Sequence, residues 1–159
     1  MFRVGIGYDV HQFAEGRKLV LGGVEIAHNR GLDGHSDADV LIHAIADSLL
    51  GALGLPDIGY YFPNTDAAWK DAPSTVFLKE IAIKVKEAGK EITNIDASLV
   101  AEEPKILPHL DAMKTCISAA LGIETNQVGI KATTNETMGF VGRREGIAAM
   151  AVAGLIQRS

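Results

Sequence analysis

The stretch DADVLIHAIADSLLGALGLP, residues 37–56, constrains the fold more than any other part of the chain. Ser36 or Asp37 can cap its start, Gly54 and Pro56 close it, and Val40, Ile42, Ala44, Ile45, Leu49, Leu50 and Leu53 give it apolar surface over a broad arc. It reads as a helix that the rest of the fold must cover. His43 and Asp47 interrupt the apolar run before it reaches the roughly 18 residues of a membrane span. A chain of 159 residues, 47% of them hydrophobic, suits a single domain, 1–159. At this size folding buries roughly 68–70% of the unfolded chain's surface, so one core suffices without disulfides or a structural metal. A metal, where one binds, serves chemistry.

The other elements follow in order. Residues 2–9 read as a strand, and Lys18–Ala27 as two short strands around Gly22-Gly23. A polar loop leads to the helix. Leu55–Pro73, with Pro56, Pro63 and a run of aromatics, reads as a long loop of the kind that carries function. A second helix spans about Ser74–Ala88, a strand lies within ITNIDASLVAE and ends before Pro104, and a third helix spans about Leu107–Leu121. VGIKATT is a strand that runs into a polar loop, Asn135–Gly146. The tail IAAMAVAGLI suits a helix by its alanines and a doubly buried strand by its size pattern. No repeat or low-complexity tract divides the chain, and the fold class is α/β or α+β.

Fifteen Lys plus Arg against twenty Asp plus Glu give a net charge of −5, with no basic run to track a phosphate backbone, so nucleic acid is not an expected partner. No membrane is expected either. The single cysteine, Cys116, sits in an apolar helical context as an inert core thiol and fits a reducing compartment. The N-terminus enters a strand pattern without the features of a secretory or transit segment, which makes the cytoplasm the expected location.

Three clusters carry chemistry. Asp9 and His11 lie two apart on a strand end and project to the same side, and with His43 from the helix they make an Asp/His/His set that leaves a fourth zinc position open. The alternative is a core histidine beside two surface residues. Gly34, His35 and Ser36 stand ahead of a helix N-terminus that favours an anion such as phosphate, although Ser36 and Asp37 would be there as caps in any case. In KATTNE, residues 131–136, Glu136 beside two hydroxyls is enough for magnesium, and a solvated turn explains the same residues. Asp47, four residues past His43 on the same helical face, is expected to orient that imidazole.

The segments GYDVHQ, GHSDADVLIHAI, DIGYYFPNTD, PKILPH and KATTNETMGFVGRREGI, in this order, resemble the family of 2-C-methyl-D-erythritol 2,4-cyclodiphosphate synthases over nearly the whole chain. The resemblance implies an α+β, ferredoxin-like subunit with a mixed sheet on one side and helices on the other, three subunits around a central axis, and active sites between neighbours. It implies a CMP-releasing cyclisation of 4-diphosphocytidyl-2-C-methyl-D-erythritol 2-phosphate in the non-mevalonate route to isoprenoids. The substrate's own 2-phosphate attacks its β-phosphorus, so the protein supplies geometry and charge rather than a nucleophile.

Position by position, the resemblance makes Asp9, His11 and His43 ligands of one Zn2+ per subunit, and Glu136 the carboxylate for Mg2+ or Mn2+ on the diphosphate. His35 and Thr134 match transition-state stabilisers, and Ser36 a contact to the methylerythritol phosphate. Asp57, Ile58 and Gly59 match the ribose site, and Phe62, Pro63, Asn64, Thr65 and Asp66 a flap. The cytosine pocket matches Ala101, Glu102, Glu103, Pro104, Lys105, Ile106 and Leu107, with Ala132, Thr133 and Asn135 alongside. Phe140 and Arg143 match positions near the trimer axis, where an apolar cavity takes an isoprenoid diphosphate. Two positions depart from the family pattern: FPNTD stands where FPDTD is usual, placing Asn64 for an aspartate, and PDIG, with Pro56, stands where GDIG is common. The rival reading is a zinc-dependent phosphohydrolase that acts on a nucleotide-linked substrate and activates water at the same metal.

Overall fold

The structure, a computed structural model, describes residues 1–158. In chain order its elements are β1 (Phe2–Glu15), β2 (Leu19–Leu21), β3 (Val24–Ile26), β4 (Arg30–Leu32), α1 (Val40–Leu53), α2 (Ile58–Tyr61), α3 (Thr75–Glu87), β5 (Lys90–Val100), α4 (Leu110–Leu121), β6 (Val128–Thr133), α5 (Gly139–Gly142) and β7 (Gly146–Gln157). The N-terminal strand therefore runs well past residue 9, and Asp9 and His11 lie within it rather than at its end. Alternation still puts both on one face, with buried Gly5 and Gly7, while Val4, Ile6, Tyr8 and Val10 are exposed on the other.

Those two glycines explain where α1 sits. A Cβ at Gly5 would meet the Ser48 carbonyl oxygen at 2.0 Å, and one at Gly7 the Ala44 carbonyl oxygen at 1.9 Å. Their bare Cα atoms let the helix backbone rest directly on the strand. α1 is buried over most of its surface, including Leu41, Ile42, Ile45, Leu49 and Leu50. Its cap is Asp39, in place of the expected Ser36 or Asp37: the carboxylate accepts from Ile42 N–H and also from Gly22 and Gly23 N–H at 2.9 and 2.6 Å, tying the helix start to the β2–β3 turn. Gly54, at φ 76°, closes the helix in the left-handed conformation.

Five strands form one sheet in the order β4-β1-β7-β5-β6, and β2 and β3 form a separate hairpin. The ambiguous tail is strand β7, antiparallel to both β1 and β5, with Ala149, Ala151 and Ala153 buried under the helices. β5 and β6 are parallel, joined through α4. β4, inside the segment read as a polar loop, pairs with the end of β1 through three residues centred on Gly31. α2 and α5 likewise lie in segments read as loop. The sheet is mixed, with the helices on its inner face, and the fold is α+β. Among the described residues no helix is long and apolar enough to cross a membrane.

Candidate active site

Asp9 and His11 point up from β1 toward the first turn of α1, where His43 faces down. Asp9 Oδ2 lies 2.9 Å from His11 Nε2 and 3.1 Å from His43 Nδ1, and the two ring nitrogens are 3.2 Å apart. Three lone-pair-bearing atoms this close need a cation among them, either a proton or a metal. Burial works to raise the Asp9 carboxyl, but the His11 and His43 imidazoles beside it overcome this and hold the group down at about 2. Burial works to lower His11, and the Asp9 carboxylate outweighs it, so the imidazole holds its proton above the ordinary range. The donor set, two imidazole nitrogens and an ionised carboxylate oxygen, fits a divalent metal.

Outer partners fix the two rings. His11 Nδ1 donates to the Asp33 carbonyl at 2.6 Å. His43 Nε2 meets Ser74 Oγ at 2.9 Å and Ser36 Oγ at 3.3 Å. Asp47 has a different task from the one its helical spacing suggests: its carboxylate accepts from Ile58 N–H at 2.8 Å, anchoring the start of α2, because the outer nitrogen of His43 faces α3 instead. Burial raises the Asp47 carboxyl above its usual range. Sequence reading missed Ser74, whose only visible sign was a plausible helix-start position after Pro73.

A cavity of about 360 Å³ opens beside the triad, lined by His11, His35, Ser36 and His43 on one side and by Ile58, Gly59, Phe62, Pro63 and Asn64 on the other. Trp69 and Phe77, which the sequence did not single out, complete its wall: Phe62 stacks on Phe77 with ring centroids 4.5 Å apart, and Trp69 meets Phe62 edge-on at 5.1 Å. His35 Nε2 is 2.9 Å from the Asp66 carbonyl, so the end of the flap leans on it. Asp57 caps α2 through Tyr60 N–H, and Asp66 caps the turn at Ala67–Trp69. Thr65 and Asp66 do not line the cavity.

A second cavity, about 300 Å³, is lined by Ala101, Glu102, Pro104, Lys105, Ile106 and Leu107 together with Ala132, Thr133 and Thr134. Glu103 is not among its lining residues, since its carboxylate turns to Arg30 at 3.0 Å and Arg144 at 3.6 Å. Glu102 spans two features: it lines the cavity and accepts from the N–H groups of Asn135 and Thr137 at 3.0 and 3.1 Å. That clamp holds a turn in which Glu136 and Thr137 are both left-handed, φ 51° and 62°, a costly arrangement for non-glycine residues. Thr134 Oγ1 donates to Glu136 at 3.2 Å. Phe140 borders a further hollow with Val10 and Glu145, and the Arg143 guanidinium pairs with Glu145 at 2.7 Å. The triad cavity and the second cavity share no residue, yet both open at one end of the sheet, where Asp9 and Leu99 flank Ala149 of β7 in register.

Comparison with known proteins identifies relatives of the chain. Residues 2–156 match the model of the YgbB family. A curated relative from Akkermansia muciniphila, named 2-C-methyl-D-erythritol 2,4-cyclodiphosphate synthase, is 60% identical over 96% of this chain and 90% of its own length. A relative of the same name from Moorella thermoacetica is 55% identical over 98% of this chain and 96% of its own. Among solved structures, the bifunctional IspDF of Campylobacter jejuni superposes with a TM-score of 0.93 at 43% identity, covering 98% of this chain, which spans 42% of that longer protein. A CDP complex of IspF from Plasmodium falciparum gives 0.87 at 35% identity over 99% and 97% of the two chains. With residues 2–156 matched by the family model, and its fold that of the solved relatives, the chain belongs to the YgbB family.

Proposed function

We propose that the chain catalyses the reaction that names its relatives, converting 4-diphosphocytidyl-2-C-methyl-D-erythritol 2-phosphate into 2-C-methyl-D-erythritol 2,4-cyclodiphosphate and CMP. It would act as a phosphorus–oxygen lyase of the cytoplasm in the non-mevalonate route to isoprenoids. The observation that carries the reading is the converged Asp9, His11 and His43 beside a cavity roofed by the flap, in a chain 60% identical to a synthase of that name. An oxygen of the 2-phosphate bonds to the β-phosphorus, the bond from that phosphorus to the bridging oxygen breaks, and the electron pair leaves with CMP.

Asp9, His11 and His43 would hold Zn2+, and Glu136 would hold Mg2+ or Mn2+. When bound, these ions supply positive charge to the phosphate oxygens. His35 and Thr134 hydrogen-bond the oxygens on which charge builds, and the wall of Phe62, Trp69 and Phe77 excludes water that would otherwise compete with the 2-phosphate. Ala101–Leu107 with Ala132 and Thr133 takes the flat base; that a Plasmodium falciparum relative is solved as a CDP complex supports a cytidine nucleotide as the ligand. Asn64 keeps an acceptor for a substrate hydroxyl without the charge of an aspartate.

The working unit is a homotrimer with sites between subunits, one providing the metal triad and its neighbour the nucleotide pocket. Two features support this: the cavities share no residue, and the outer sheet face exposes Phe2, Val4, Ile6, Met150 and Val152 to solvent in the single chain. Phe140 and Arg143 then stand near the axis, where an isoprenoid diphosphate would fit. Phosphorus NMR of the protein with the cytidine diphosphate substrate, zinc and magnesium tests the reading. Cyclic diphosphate plus CMP, lost in His43→Ala and in Glu136→Ala, is the expected result. A linear phosphate product would instead reveal a hydrolase.

A further inference from the structure

Ser74 opens α3 and is wholly buried, yet its hydroxyl caps nothing in its own helix. It is held on two sides. Its O–H donates to Asp37 Oδ1, and its backbone N–H donates to Asp37 Oδ2 at 2.9 Å, so one carboxylate grips the residue twice. Asp37 accepts in addition from Asp39 N–H at 3.2 Å, which fixes the carboxylate against the start of α1. A hydroxyl has one proton, and here it is committed to Asp37. Toward His43 Nε2, 2.9 Å away, Ser74 Oγ offers only a lone pair. The imidazole nitrogen must therefore be the donor.

We propose that Ser74 and Asp37 form a positioning pair that selects the Nε2–H tautomer of His43 and so aims the lone pair of Nδ1 at Asp9 and His11. The opposite tautomer would direct an N–H into the cluster and block metal ligation through Nδ1. Ring orientation is fixed in the same way, since Nε2 is tied to α3 while Nδ1 lies over β1. The arrangement parallels His11, whose Nδ1 is tied to the Asp33 carbonyl and whose Nε2 faces the cluster. Ser36 Oγ, at 3.3 Å from Nε2 and itself accepting from Ala38 N–H, is the weaker partner and is left free to turn toward a ligand. Neither Ser74 nor Asp37 touches substrate in this reading, which rests on the triad being a metal site.

The test uses the metal-free and zinc-loaded protein. Imidazole nitrogen NMR of the metal-free protein is expected to report His43 as the Nε2–H tautomer, and Ser74→Ala to give a mixture. Zinc affinity, measured by competition with a chromophoric chelator at a temperature where the variant is folded, is expected to fall by about 10–100-fold in Ser74→Ala. Ser74→Thr, which keeps the hydroxyl, should retain both the tautomer and the affinity. An Nδ1–H tautomer in the native protein, or an unaltered tautomer in Ser74→Ala, would overturn the proposal whether or not zinc binds. Failure of the native protein to bind zinc while the tautomer behaves as stated would remove the metal reading alone, leaving Ser74 as the residue that sets the tautomer.

Discussion

Asp39 places a carboxylate where water does not reach, and its ionisation is contested from both sides. Burial first, and the nearby Asp37 second, push its pKa up to about 6, against the backbone N–H groups of Ile42, Gly23 and Gly22 that favour the charged form. Relative to 3.8 in the unfolded chain, the folded state binds the proton more tightly. The stability this contributes is complete below about pH 3.8 and is lost as pH rises through about 6, a change on the order of 3 kcal/mol. Urea unfolding of the metal-free protein across that window, compared with Asp39→Asn, checks it: the variant should be less stable at low pH but follow a flatter profile. The residue scale is also where sequence reading reached its limit. Asp9, His11 and His43 were legible because alternation on a strand and one helical residue suffice to bring them together. Asp47 was misassigned because spacing along a helix says which face a side chain is on, not which partner waits there. Ser74 lies 31 residues from His43, and nothing in the local sequence joins them.

At the scale of elements, the contact between β1 and α1 is the seam on which the site depends. Gly7→Ala drives a methyl into the Ala44 carbonyl and is expected to destabilise the protein by about 3 kcal/mol. Gly51→Ala, at an exposed position of the same helix where the added Cβ would meet the Ile6 carbonyl oxygen at an ordinary 3.6 Å, should stabilise it by about 0.5–1 kcal/mol through helix propensity. Chemical denaturation of the two variants side by side separates a close approach from a general aversion to alanine. α1, α3 and the strands β2, β3, β5 and β6 were readable because their periodicity and punctuation agree. β4 was not, since three residues around Gly31 carry no period, and its strand character comes from the neighbouring edge of β1. The cap of α1 was missed because HSDAD holds several competent caps, and the choice of Asp39 is made by Gly22 and Gly23, distant in sequence.

For the whole molecule, the outer face of the sheet is the feature a single chain cannot explain. Ile6 is 72% exposed and Met150 47% exposed, on adjacent strands that otherwise pair in full register. For the trimer proposed above, Ile6→Glu is expected to leave the circular dichroism of the folded chain intact while sedimentation shows the variant as a monomer. Activity should fall by about 100-fold or more, since groups in separate cavities are then no longer held in register. β7 read ambiguously for the same reason: small residues packed on one face and apolar residues bared on the other follow no simple alternation until neighbours are in place. The loop between α2 and α3 has its own consequence. Asp47 pins the start of α2, just ahead of that loop, through Ile58 N–H, and the Asp37–Ser74 pair pins the loop's far end. Asp47 lies in α1, which carries His43, and Asp37 lies just ahead of it. The intervening chain is thus held like a handle fixed at two rivets, over the cavity that His43 faces.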